Sequence, residues 1–223
     1  IQRDDSVRVV LLSGEGKNFC GGGDVAEFAA KGEALGGHLR EVTALQEAVV
    51  GGFVNQRAPV VTLVQGAATG GGGTGLICAS DIVLAGPRAK FMLGATRVGM
   101  APDGGASVAL TQIVGLRQAL RFALLNPLVG AQEALEIGLV TELLPTDQAL
   151  AERGEEVARQ LAAGPALSQA ETKRLFWHSL GRAFEEALPD ESRTVASLGG
   201  AGDAREGLAA VLGRRPPRFG PGA

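Results

Sequence analysis

Short apolar runs rich in β-branched residues recur along the chain, each followed by glycines and then by a segment of helical periodicity. The plainest is Val60-Val61-Thr62-Leu63-Val64, set off by Pro59 and followed by Gly70-Gly71-Gly72-Gly73. Such a run predicts a strand buried on both faces. Val7 to Leu12 and Ile82 to Ala85 predict further strands, and Ala89 to Leu93 a short extended piece. Between them, Leu39, Val42, Leu45, Val49 and Phe53 fall at three- and four-residue steps, which predicts an amphipathic helix over about His38 to Phe53. Leu76 to Ala79 reads as a buried helical turn entered from the glycines. Ser107 to Val114, Leu116 to Leu125 and Ala131 to Ile137 also read as helices. The repeated order of strand, glycine loop and helix argues for an α/β layer structure.

From Pro145 the pattern becomes helical throughout. Thr146 or Asp147 is placed to cap a helix running to Ala163, and Pro165 to start the next. Pro189 is expected to interrupt a helix over Ala183 to Leu198, and Asp203 to cap a last one ending at Leu212. The division expected is a core over 1–145 and a helical region over 146–223. Arg214 to Gly220 forms a basic tail stiffened by Pro216 and Pro217.

Composition narrows the classes. With 223 residues and 45% hydrophobic content the chain can bury a sizeable core. A formal charge of −3 gives no case for nucleic acid or a membrane surface. No apolar run reaches about 18 residues, so no membrane span is expected. Cys20 and Cys78 lack metal-ligand spacing and read as free thiols in a reducing compartment, and no metal is expected. The chain opens on Ile1 without a signal-peptide pattern, and a cytoplasmic location is the expectation. Glycine stands out at 34 residues, roughly twice its usual share, without the low complexity that marks disorder.

The stretch from Val60 to Asp81 therefore becomes the centre of interest. Glycines in a row let a ligand approach the backbone closely, and a helix starting there would offer unpaired N–H groups to a negatively charged oxygen. Gly70, Gly72 and Gly75 do fit the dinucleotide pattern G-x-G-x-x-G. The acidic residue that should follow about 20 positions later is missing, since no acid lies between Asp81 and Asp103. A phosphate-binding P-loop is excluded because no Gly-Lys-Ser/Thr follows. A glycine turn used only for packing stays open at this point.

Three motifs in combination resemble the crotonase superfamily of enoyl-CoA hydratases and isomerases. They are Gly16-Lys17-Asn18-Phe19-Cys20-Gly21-Gly22-Gly23-Asp24, the glycine-rich turn ending in Ser80-Asp81-Ile82, and Val98-Gly99-Met100-Ala101-Pro102-Asp103-Gly104-Gly105. The similarity runs from Val7 to Phe219. It implies a spiral of ββα units followed by a C-terminal helical trimerisation region, assembled as a homotrimer or a dimer of trimers. A strand pair normally precedes the segment matching Val7, so the core is expected to lack its N-terminal strands. The implied substrate is an acyl-CoA thioester of fatty acid metabolism, with coenzyme A part of the substrate and no separate cofactor. Its carbonyl would be held by backbone N–H groups at positions matching Gly23 and Gly72, or Gly71 if the fourth glycine is counted otherwise. Cys20, Gly21, Gly22, Asp24, Ala68, Gly70, Ala95 and Met100 fall at substrate-binding positions of the same motifs.

Hydratases of the family use two glutamates to activate water. The matching positions here are Gly75, or Thr74 by the other count, and Ala95, none of them acidic. Asp103 matches the catalytic acid of isomerase-type members, which moves a proton between two carbons of an enoyl chain. On pattern alone, Pro102-Asp103-Gly104 is equally a good turn. The favoured expectation is an isomerase with Asp103 as proton shuttle. Hydration, ring closure and a non-enzymatic trimeric scaffold are the alternatives. A dehalogenase would want a Trp at the position of Ala95. His38 and His178 suggest surface or packing roles, and Asp81 a structural one.

Overall fold

A computed structural model describes residues 4–220; the outermost ends of the two expected segments, 1–3 and 221–223, lie outside the described residues. The chain divides into two units.

The larger unit, residues 11–54 and 60–155, is built on a repeat. Strand β1 (Val10–Ser13) leads to an isolated bridge at Cys20, then to helices α1 (Val25–Ala30) and α2 (Leu35–Asn55). Strands β2 (Val60–Val64) and β3 (Ala67–Thr69) lead to α3 (Gly70–Cys78). Strands β4 (Ile82–Ala85) and β5 (Lys90–Met92) lead through a 3-10 turn to α4 (Ala106–Val114). In each round the first strand joins one sheet and the second extended piece joins another. With β6 (Val129–Gly130) and β7 (Glu142–Leu143), the sheet orders are β1-β2-β4-β7 and β3-β5-β6. The β2–β4, β4–β7 and β3–β5 pairs are parallel, and Cys20 bridges Ala68 in parallel. This is the ββα spiral that the resemblance implied.

Every residue of β2 is buried, as its unbroken apolar run predicts. Its one hydroxyl, on Thr62, is satisfied by Ser80 Oγ at 2.7 Å. The core around it gathers Val64, Ile77, Phe91, Leu110, Phe122 and Val129, each burial contributing about 1.5–3 kcal/mol before the entropy of ordering is set against it. Asp81 is structural: its carboxylate accepts from Val60 N–H at 2.7 Å and so fixes the entry to β2. Helix α5 (Leu116–Leu125) has the predicted bounds, and α6 (Ala131–Glu136) and the start of α7 (Asp147–Ala162) complete the unit. Thr146 Oγ1 accepts from Ala149 N–H at 3.0 Å, the capping contact expected of that residue.

The smaller unit comprises residues 1–10, 55–59 and 156–223. Helix α8 (Ala166–Ser179) is tied to α9 (Phe184–Gly199) by Arg174, which donates to Glu171, Asp190 and Thr194 at 2.7–2.8 Å. Two expectations are corrected here. Pro189 does not interrupt α9, which runs through it; lying early in the helix, it forfeits only the bond to the preceding turn. Asp203 does not cap α10 (Gly202–Leu212). Ala201 occupies the N-cap position without a side-chain capping bond, and Asp203 sits in the first turn, where its charge suits the helix dipole. The basic tail folds back on α10: Arg215 pairs with Glu206, Arg218 N–H donates to the same carboxylate at 2.8 Å, and Phe219 lies over Gly207. No helix among the described residues is long and apolar enough to cross a membrane.

Candidate active site

The three motifs occupy equivalent corners of the spiral, each just after the second extended piece of a round. Gly21–Gly23 follows Cys20, Gly70–Gly72 follows β3, and Asp103 follows β5 and its 3-10 turn. Because Cys20, β3 and β5 are neighbours through parallel contacts, the three corners converge. They surround a cavity of about 540 Å³.

Contact between the first two corners depends on missing side chains. A Cβ on Gly22 would lie 2.8 Å from Thr69 O and 3.0 Å from Gly70 Cα, and one on Gly70 would lie 3.0 Å from Gly22 Cα. Both have positive φ, +85° and +68°, a region open to glycine at little cost. Thr69 completes the junction. Its hydroxyl donates to Gly21 O at 2.9 Å and makes no capping bond to α3, although Thr69 is the N-cap residue. The opening N–H groups of α3 are thus left without a side-chain acceptor, with the positive end of the helix dipole behind them.

Asp103 meets this helix end from the other side. A Cβ on Gly71 would overlap Asp103 Oδ1 and lie 2.6 Å from Cγ, so the carboxylate occupies the place a side chain at 71 would take. Burial pushes the Asp103 carboxyl above the ordinary aspartate range, opposed in part by a hydrogen bond from its own backbone N–H. Among the described residues lining the cavity, Asp103 is the one acidic side chain and Arg97 the one basic. No group of three or more His, Cys, Asp or Glu side chains suited to a metal ion occurs among the described residues.

Of the other expected site residues, Gly21, Gly22, Gly23, Gly70, Gly72, Ala95 and Met100 line the cavity. Cys20, Asp24 and Ala68 are not among its lining residues. Cys20 and Ala68 bridge each other, and Ala68 is fully buried. The Asp24 carboxylate is engaged as the cap of α1, accepting from Ala26 and Glu27 N–H at 2.9 and 3.1 Å. The position matching the first hydratase glutamate is sterically closed, since a Cβ on Gly75 would lie 2.7 Å from Gly104 O. Thr74, the alternative match, is buried.

The sequence reading missed one wall altogether. Leu39, Val42, Gln46 and Val49 of α2 line the cavity, together with Phe28, whose ring would have to shift for a side chain at Gly23. The apolar periodicity of α2 suggests a face packed into a core, yet no residue of this helix is fully buried. His38 packs edge-on to Phe28, ring centroids 5.9 Å apart, and lies 3.2 Å from Glu27, a packing role as expected.

Comparisons with known proteins give the family. The family model for enoyl-CoA hydratase/isomerase matches residues 1–221. A Rhodobacter capsulatus protein named "Probable enoyl-CoA hydratase" is 36% identical over 212 residues, 95% of this chain and 80% of its own length. The 1,2-epoxyphenylacetyl-CoA isomerase of Escherichia coli (strain K12) is 30% identical over 220 residues, 98% of this chain and 83% of its own. The crystal structure of an enoyl-CoA hydratase from Mycobacterium smegmatis superposes with a TM-score of 0.89 at 30% identity, covering 98% of this chain and 83% of that one. The chain belongs to the crotonase superfamily, in the enoyl-CoA hydratase/isomerase family.

Proposed function

We propose that this chain is an acyl-CoA isomerase that shifts a carbon–carbon double bond through an enolate. The thioester carbonyl sits between Gly23 N–H and the first-turn N–H groups of α3 at Gly71 and Gly72. The Asp103 carboxylate removes a proton from the carbon next to the carbonyl. The electron pair moves onto the carbonyl oxygen, where preorganised donors and the helix end stabilise it, by about 3–4 kcal/mol per donor in comparable oxyanion holes. Protonated Asp103 then returns the proton two carbons further on as the double bond moves into conjugation. One carboxylate does both steps, and no water is consumed.

The observation that carries this reading is the placement of a single, partly desolvated carboxylate against Gly71 at the uncapped start of α3. Desolvation raises the basicity of a carboxylate and suits it to proton abstraction near neutrality. The names of the relatives include both hydratase and isomerase. What favours isomerase is the site itself: neither Gly75 nor Ala95 supplies a second carboxylate to activate water, and Gly104 closes the space beside Gly75. Exposed Leu208, Val211 and Leu212 on α10 and Phe184 and Val195 on α9 support self-association of the helical region, for which the family resemblance implies a homotrimer or a dimer of trimers.

The test is incubation with matched 3-enoyl- and 2-enoyl-CoA while following the absorbance of the conjugated thioester. Isomerase activity makes the band appear from the 3-enoyl compound. Loss of the band from the 2-enoyl compound, with none appearing from the other, would identify a hydratase and overturn the proposal.

A further inference from the structure

The polar side chains lining the cavity are few, and most are already engaged. Thr43 Oγ1 donates to Leu39 O at 2.8 Å, and Thr69 Oγ1 to Gly21 O at 2.9 Å. Arg97 lies exposed, with Nη1 on Met92 Sδ at 3.4 Å. Asp103 is committed to the chemistry. Gln46 remains. It projects from α2 among Leu39, Val42 and Val49, and its Nε2 is buried without a hydrogen-bond partner. The nitrogen packs against the backbone of Gly104, next in the chain to Asp103, in the space a Cβ there would fill. It also lies 3.2 Å from the place of a Cβ on Gly75.

An amide nitrogen shut away from water without a partner is costly to keep, and a leucine or methionine would fill the same apolar stripe without that penalty. The buried nitrogen does not itself open on the cavity; the half-buried residue does. Rotation about the last torsion exchanges the nitrogen and oxygen ends with little change in shape, which sets the oxygen beside Gly104 and turns the N–H groups toward the cavity, where an entering acceptor can pair with them. Its neighbour in space is Gly104, so the group it meets lies close to the carbons that Asp103 serves.

We infer that Gln46 is a specificity-determining residue that donates a hydrogen bond to an oxygen carried by the acyl group itself, so that the preferred substrates are oxygen-substituted acyl thioesters rather than plain hydrocarbon ones. The inference rests on the acyl-CoA reading of the cavity and narrows it. A plain chain covers the cavity-facing end of the amide without pairing it, whereas a keto or ether oxygen within a few carbons of the thioester pairs with it. Sites built to hydrogen-bond a substrate group discriminate against analogues that lack it, because the buried partner is then stranded.

The test is calorimetric binding of two unreactive thioesters of equal length, hexanoyl-CoA and 4-oxohexanoyl-CoA, to the whole chain. The wild type is expected to bind the oxo compound about tenfold more tightly, the gain of one hydrogen bond in a dry site. Gln46→Met, similar in size and apolar, is expected to bind both equally and to bind hexanoyl-CoA no less tightly than the wild type does. Gln46→Leu serves if the methionine variant does not fold, and the wild-type comparison alone already decides. Equal affinity of the wild type for both compounds, or a preference that survives in the variant, overturns the inference while leaving the acyl-CoA reading intact. Failure of both thioesters to bind the wild type would overturn that reading and this inference with it.

Discussion

The carboxylate of Asp103 stands where the side chain of residue 71 would be: a Cβ on Gly71 would overlap Oδ1 and lie 2.6 Å from Cγ. This carboxylate and the start of α3 are thereby in contact, and a side chain at 71 cannot be added without moving it. Gly71→Ala should consequently displace the carboxylate and disturb the first turn of α3 together. Turnover is expected to fall by about 10²-fold or more, the scale of losing one oxyanion donor. Steady-state kinetics with a 3-enoyl-CoA checks this, with a circular dichroism melt to show that the fold persists.

The junction of the two glycine corners should matter for rate more than for folding. Thr69→Val removes the hydroxyl that holds Gly21 O while keeping the side-chain shape. A hydrogen bond of this kind contributes on the order of 1 kcal/mol to stability, so the melting temperature should drop by only a few degrees. The first corner then loses its tether to α3, and kcat is expected to fall by about tenfold with a smaller change in KM. A variant with wild-type kcat would show that the tether does not position the donors.

How far the sequence reveals this site depends on which kind of information each part needs. The unbroken apolar run Val60–Val64 announces a strand buried on both faces, and β2 is that strand. The start of α3 is less legible. Four glycines have poor helical propensity, and the pattern suggests a helix only from Leu76. The helix nevertheless begins at Gly70, and its glycines are there because neighbours fill the places where side chains would stand: Gly22, Asp103, Gly104 and the Cys20 carbonyl all crowd α3. Asp103 stands out as a carboxylate in a region otherwise poor in acids, but its meeting with Gly71 is a product of the spiral and has no local signal. The periodicity of α2 identifies an apolar face without telling what covers it, and in the structure that face borders a cavity. Gln46 interrupts the face with a single amide, a cue that acquires meaning only once Gly104 is found beside it.

Two consequences follow from the raised Asp103 carboxyl, with opposite uses of the same sign. As the proposed base, Asp103 must be ionised, so activity should fall with acidification through a midpoint above the ordinary aspartate value. Stability moves the other way. Between the ordinary value and the raised one, the folded chain holds a proton that the unfolded chain has released, so stability declines as pH rises through that window. Asp103→Asn lacks this penalty and should melt higher than the wild type at neutral pH, with the difference shrinking as pH falls below the window. Paired melting curves across the acid range check both the sign and the position.

The tail offers a second pH test in the smaller unit. Hydrogen bonds from Arg215 and from Arg218 N–H hold the Glu206 carboxyl down at about 2. Stability from this contact is fully present above the ordinary glutamate value and is lost as pH falls toward about 2. Glu206→Gln should narrow the difference between neutral and acid melting temperatures and should leave turnover unchanged. An unchanged pH slope would show that the tail is not anchored by this carboxylate.

In the proposed reaction one carboxylate, facing backbone donors from two separate segments, moves the proton. Asp103→Asn tests it most directly, measured for both turnover of a 3-enoyl-CoA and calorimetric affinity for a saturated acyl-CoA. Turnover is expected to fall by about 10³-fold or more, with thioester affinity within a few-fold of the wild type because the N–H donors and cavity walls are untouched. Isomerisation at the wild-type rate in this variant would contradict it.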